Sequence, residues 1–478
     1  MIAARNNLIL IVFFFTLIFL IAIAVDASPF LRGPADSVIE SRWPYYFVNT
    51  FSKLWIFAPI YMGFLLIIRR VDTLKNIKTS REWLILICLV LLVFAFQLAL
   101  VYFSRFGITV LFRRLVDPGI NGYFTESLNI DNLSSFLSNF PAMVNSRTLS
   151  QHASGHTPGA VLLTKGLVDL ISLVPTNYIS FLNNFQVGWA KDLWNSLTLH
   201  QKFAGITIPF LLHLLSSVVI IPFYFIAKSI FGDVRSSFRT TILYSVIPSL
   251  SFFALVMDPL YALFPLIATL LILAGVRRKQ SNYFFLAGIT CGIGLFFTAA
   301  ILTYLAGLFV FVVISNKTVL VKSVIKFLTG IVYVVLIFYL IRFDLIASLQ
   351  AVIHNQASRE YLHWVAYNPY DFFVFMGLPL SIIFIYQTYL IIRKKIVLNS
   401  ILKNVFLAFW ITFLTLIISG ASRGEVGRIW LLFMFIPVIF AGNFINQTVK
   451  FSNKQFLILF TLLFIQTIIL EEFWVPIW

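Results

Sequence analysis

Long unbroken apolar runs, each closed by a short polar or basic stretch, set the pattern of this chain. They predict spans near 7–25, 54–70, 84–102, 203–227, 240–256, 259–276, 283–298, 299–315, 324–342, 372–392, 403–419, 429–446 and 456–472. An α-helix needs about 20 apolar residues to cross a bilayer. A closed β-barrel would instead show short segments of alternating polarity. The prediction is therefore an all-α polytopic membrane protein with about 13 transmembrane helices. The first run follows Arg5 with no convincing cleavage site, and its length reads as a retained span rather than a signal peptide. Three regions of one continuous membrane domain follow. Residues 1–103 hold the first spans and an outer loop, 104–202 form a large extracytoplasmic loop, and 203–478 form a C-terminal helix bundle.

Composition agrees with the pattern. Of 478 residues 60% are hydrophobic and 11% charged, more apolar surface than a soluble domain can bury. The formal charge of +17 would suggest nucleic acid on a soluble protein. Here the Lys and Arg fall in short loops, which makes them topology signals, and no nucleic-acid partner is expected. With the N-terminus in the cytoplasm, the clusters at 69–81, 228–239, 277–279, 317–326, 393–403 and 450–454 all fall on one side. The expected location is a plasma membrane. Cys88 and Cys291 lie inside apolar runs and read as packing residues. Residues 158–174 are apolar enough to cross, but a lone crossing would invert the downstream charge pattern. That stretch therefore lies at the interface, dips in and returns, or is paired with another weakly marked crossing.

Polar chemistry concentrates at the opposite side. Asp117-Pro118-Gly119 marks a turn. Tyr123, Phe124, Leu128 and Ile130, then Phe136, Leu137 and Phe140, recur at helical spacing, which predicts amphipathic helices on the membrane surface. Asp117 at the start of such a helix stands just above the hydrocarbon, or simply caps the helix. Glu126 and Asp131 read as solvated helix residues. His152 and His156 would form a metal pair only on a continuous helix, against which Gly155 and Pro158 argue. Asp258 lies between two apolar spans. A carboxylate there is costly and marks a functional candidate, although a turn-capping role also fits. Farther on, HNQASREYLHWVAYNPYDFF interleaves Arg359 with aromatic residues, as a saccharide-binding surface or an interfacial aromatic belt would. Glu425 and Arg428, three apart, form either a local ion pair or the edge of a phosphate site. Arg32, Arg42 and Trp43 sit in an early loop with no assigned role.

The order Asp117, the Tyr123 helix, His156-Thr157-Pro158-Gly159 and then Met257-Asp258-Pro259 resembles the C-type membrane glycosyltransferase superfamily. The branches it resembles are the protein O-mannosyltransferases and aminoarabinose transferases. The resemblance spans roughly residues 84–280, with Thr157 standing where those branches carry the first Pro of a His/Lys-Pro-Pro motif. It implies a glycosyltransferase that moves a sugar from a polyprenyl-phosphate donor to an acceptor on the outer face. The implied catalytic residues are Asp117, as general base, and Asp258. Tyr123, His152, His156, Arg359, Glu425 and Arg428 are the substrate-binding candidates, with Arg428 as the cation for the leaving phosphate. The implied partners are the lipid-linked donor, a glycan, lipid or protein acceptor, and the bilayer. No cofactor is certain, and a divalent metal is left open. Two other classes compete. A transporter or flippase would carry polar residues deep in several spans. An O-antigen polymerase or ligase would lean on outer-loop Arg and His.

Overall fold

The computed structural model describes residues 2–34, 43–45, 50–74, 78–185, 191–315, 318–355 and 359–474. Arg42, Lys75 and Lys317 lie outside the described residues. The described residues are 81% helical, with no strand among them. Among the described residues, nine helices are long and apolar enough to cross a membrane, or up to 11 if each of two bent pairs is one span. This differs from the 13 spans predicted by the apolar runs. The helices Asn282–Phe297 and Ile301–Ser315 are 16 and 15 residues long, short of about 20, and the run at 240–256 does not form one helix at all.

That run is the centre of the fold. Helix Val234–Tyr244 leads into a break at Pro248, a short helix Pro248–Phe252, a 3₁₀ turn Ala254–Val256, and then Asp258. Nearly every residue from 236 to 262 is buried. A broken helix inside a membrane protein frees carbonyls that must find donors. Here Thr467 donates to Val246 O at 2.8 Å, Gln97 to Leu250 O at 3.1 Å and Asn121 to Leu255 O at 2.8 Å. Isolated polar residues on otherwise apolar elements are thus explained by the backbone groups they satisfy. The same device serves a second break. Helices Tyr361–Met376 and Leu378–Ile392 meet at 114° around Gly377, whose φ is +96°. Gln466 spans the joint, accepting from Leu378 N at 2.8 Å and donating to Val374 O at 3.0 Å.

The bundle has two chemically distinct ends. At one, Asp72 binds Arg235 and Arg239, and Asn453 accepts from both guanidinium groups. Glu82 there binds Lys228 at 2.5 Å and Tyr224 at 2.6 Å. These are the ends of the helices that the basic clusters flank. At the other end lie Asp258 and the turn 420–428. The stretch at 158–174 becomes helix Gly159–Ser172, bent by 104° into Thr176–Asn184, so it does not run straight on. Helix Thr318–Leu340 is mostly exposed along its length. It is held by close approach to Asn282–Phe297: a Cβ on Gly288 would meet Phe327 O at 1.9 Å, and one on Gly330 would meet Phe285 O at 2.2 Å. Small residues that let backbones approach are the usual device for helix association in lipid.

Candidate functional site

The site is assembled from four separate stretches. The first is Gly122–Leu128. Gly122 has φ +75°, and a Cβ there would fall 1.9 Å from Ser150 Oγ, so only glycine lets the His152 segment approach. Helix Tyr123–Leu128 then buries Tyr123 and Phe124 completely. Glu126 on its outer turn accepts from Ser150 N at 2.7 Å. This carboxylate, read from the sequence as a solvated helix residue, fixes the start of the second stretch.

That stretch is one helical turn, Gln151–Ser154, ended at Gly155. It sets the His152 and His156 rings 5.2 Å apart. The Tyr123 ring lies 5.3 Å from His152, and the Tyr261 ring 5.5 Å from His156. Thr157 then donates to Leu295 O at 2.8 Å, a bond that proline could not make. This gives a physical reason for the residue that departs from the family pattern. Gly159 next to it packs on Phe296 and Phe297, where a Cβ would lie 2.6 Å from Phe296 O. The segment therefore docks on the end of helix Asn282–Phe297.

The third stretch presents Asp258. Met257 before it is held at φ +65°, a conformation costing an L-residue roughly 1–2 kcal/mol, and non-glycine residues so held cluster at functional sites. Asp258 is 5% exposed. Its Oδ2 lies 3.6 Å from Arg428 Nε and accepts no hydrogen bond among the described residues. One turn on, Tyr261 OH lies 3.4 Å from Tyr123 OH.

The fourth is the turn 420–428, which carries Glu425 at φ +56° and Arg428. Helix Tyr361–Met376 holds it in place. Asn368 donates to Ser422 O at 2.7 Å and accepts from Gly424 N at 3.1 Å. Asp371 accepts from Gly427 N at 3.2 Å and from the Trp43 side chain. Ser249, from the broken segment, donates to Gly427 O. Arg359 donates to Arg423 O at 2.8 Å and to Glu425 Oε1 at 2.7 Å. Glu425 Oε2 takes Arg428 Nη2 at 2.5 Å.

Two guanidinium groups and two carboxylates thus meet beside two imidazoles. Burial alone would raise the Glu425 carboxyl, but Arg428 and Arg359 outweigh it and hold the group below the ordinary range. His156 is lowered to about 3, by burial first and then by the charge of Arg428. His152 is pushed down by the same two causes and by His156. Arg428 Nη1 lies 3.3 Å from His152 Nε2. A guanidinium only donates, so Nε2 accepts and the His152 proton is assigned to Nδ1. Burial raises the Tyr123 phenol, so it is a neutral hydrogen-bonding group.

Of the residues the sequence singled out, Tyr123, His152, His156, Asp258, Arg359, Glu425 and Arg428 come together. Asp117 stands apart. It ends helix Val110–Val116, with Oδ2 3.3 Å from Arg113 Nε and Oδ1 3.0 Å from Gly119 N. Sequence reasoning missed Asn368, Asp371 and Tyr261. A signal for Asp371 was present, because a carboxylate entering an apolar run is costly unless used. Asn368 and Tyr261 had none. No group of three or more His, Cys, Asp or Glu that could hold a metal occurs among the described residues.

Residues 185–343 match the family model described as dolichyl-phosphate-mannose-protein mannosyltransferase. The matched segment contains the broken run and Asp258, and it ends before Arg359. No curated protein and no solved structure matches the chain. The match covers about a third of the chain and includes Asp258 but neither Asp117 nor His156; over that segment this multi-span membrane protein is similar to the dolichyl-phosphate-mannose-protein mannosyltransferases, a glycosyltransferase family of the C type.

Proposed function

We propose that the chain transfers a sugar from a polyprenyl-phosphate donor to a hydroxyl acceptor at the end of the bundle that carries Asp258. In this reading the basic end and the N-terminus face the cytoplasm of a plasma membrane, and the reaction takes place outside. The observation that carries it is the buried Arg428, 6% exposed, beside a carboxylate with an unbonded oxygen.

Each group has a role that its surroundings support. The acceptor oxygen bonds to the anomeric carbon as the bond from that carbon to the phosphate oxygen breaks. The acceptor proton passes to Asp258 Oδ2, and the polyprenyl phosphate leaves with its charge against Arg428. General-base assistance of this kind contributes about 10²–10⁴-fold. An incoming phosphate must take Arg428 from a carboxylate. Glu425 can release it because Arg359 remains to it. Neutral His152 and His156, with Tyr123 and Tyr261, supply donors and ring faces for the sugar. Phosphate stabilisation is assigned to Arg428, the buried guanidinium beside Asp258. Asp117, half-buried and bonded to Arg113 and Gly119 N, is assigned to the acceptor side rather than to the base.

The test uses the full chain in nanodiscs with a panel of polyprenyl-phosphate sugars, measuring release of polyprenyl phosphate. Asp258→Asn is expected to lose about 10²–10⁴-fold in rate, and Arg428→Gln about 10²–10³-fold. Asp117→Asn is expected to change mainly the dependence on acceptor. Wild-type rates in both the Asp258 and Arg428 variants would overturn this assignment.

A further inference from the structure

A second site lies at the other end of the bundle. A cavity of about 960 Å³ opens between helices Ile220–Phe231, Leu263–Arg278, Ile301–Ser315, Ser400–Ser419 and Leu431–Asn443. Its size is at the top of the ~300–1,000 Å³ range of ligand pockets. The walls are hydrocarbon, with Ile272, Leu308, Phe409 and Phe440 among them. Near the inner end the Thr269 and Tyr304 hydroxyls bond each other at 2.7 Å, so that pair asks little of a ligand. Asp258 is not part of this space. At roughly 1.5 Å per helical residue, the stretch from Asp258 to Thr269 separates the two by about 16 Å.

The mouth has the opposite character. It is lined by Lys279, Ser281, Lys322 and Ser400, all exposed, and it opens at the end where Arg277 donates to Ser229 O. Three other cations at this end, away from the mouth, are paired: Lys228 with Glu82, and Arg235 and Arg239 with Asp72. Lys279 and Lys322 form no ion pair among the described residues. Two uncompensated cations over an open hydrocarbon cavity are complementary to one kind of molecule, an amphiphile with an anionic head and an apolar chain. Basic pockets between transmembrane helices bind anionic head groups in this way.

We propose that this cavity binds an anionic phospholipid, with its phosphate between Lys279 and Lys322 and an acyl chain inside. The lipid stands with its head at the basic end, opposite to a donor whose phosphate meets Arg428. The proposal does not depend on the reaction assigned to Asp258.

The experiment places the full chain in nanodiscs of equal phosphatidylglycerol and phosphatidylcholine, then counts retained lipid by native mass spectrometry. The wild type is expected to retain phosphatidylglycerol over phosphatidylcholine by about tenfold, a difference of one decade in affinity. Ala408→Phe, which fills the cavity from a buried wall position, is expected to lose that retained lipid. Lys279→Gln with Lys322→Gln, changed only at exposed positions, is expected to keep a lipid but lose the preference. Equal retention of both lipids by the wild type would overturn the proposal. So would unchanged selectivity in the double lysine variant. Displacement of the retained lipid by polyprenyl phosphate, one for one, would assign the cavity to the donor tail instead.

Discussion

Gly424→Ala tests whether the turn that carries Glu425 and Arg428 must keep its shape. Gly424 has φ +88°, and a Cβ there would lie 2.3 Å from Arg359 Nη1 and 2.7 Å from the Trp364 ring. The left-handed backbone costs an alanine roughly 1–2 kcal/mol. Trp364 is 5% exposed and has little room, so Arg359 must move. That loosens its bonds to Arg423 O and Glu425 Oε1. A charged hydrogen bond contributes about 1.5–3 kcal/mol, and the lower figure applies because the Arg359 and Glu425 side chains are 15% and 23% exposed and partly screened. The sum is about 3 kcal/mol in stability, of which the ~1.5 kcal/mol from the Arg359 bonds is the part that reaches the site, roughly tenfold in rate if fully expressed there. Gly232→Ala is the control. Gly232 has φ +67° with nothing within 4 Å of its would-be Cβ, and it lies at the basic end. It carries the same backbone strain and the same change in unfolded-chain entropy, but it touches no site residue. The assay is release of polyprenyl phosphate alongside thermal unfolding of both variants. The expected result is lowered stability in both and reduced turnover in Gly424→Ala alone. Equal turnover in the two variants would refute the argument that the turn positions Arg428.

Two further outcomes follow from the same contacts. His156 is held neutral in the fold, to about 3, while an unfolded histidine protonates near 6.5. The stability it contributes is therefore complete above about pH 6.5 and is lost as pH falls from there toward 3. His156→Gln is expected to flatten the fall in melting temperature between about pH 7 and 5, and an unchanged slope would contradict the burial argument. Gly288→Leu inserts a side chain where a Cβ already meets Phe327 O at 1.9 Å. It is expected to detach helix Thr318–Leu340, read as new protease or cysteine-labelling access along that helix, and unchanged access would show that other contacts hold it.

The amino-acid sequence by itself determined that the chain is all-helical and membrane-embedded, because apolar runs of this length have no other stable state in lipid. It also separated a basic end from an end bearing Asp258, the histidines and Arg428. Charges stay at helix ends when the middle is hydrocarbon, so their positions are legible one residue at a time. The number of crossings was less legible. A run such as 240–256 reads the same whether it forms one helix or breaks at Pro248, since Thr467, Gln97 and Asn121, which satisfy the break, lie far away in sequence. Helix pairing was not legible at all. A face turned to lipid and a face turned to protein are equally apolar, so periodicity gives no contrast between them. Only the tertiary structure therefore decided that Tyr123, His152, Asp258, Arg359, Glu425 and Arg428 come together and that Asp117 instead bonds to Arg113 and Gly119 N. It also decided that an apolar cavity opens at the other end. Each of these depends on which distant backbones approach, and that is set by packing and by hydrogen bonds between segments rather than by the order of residues within any one of them.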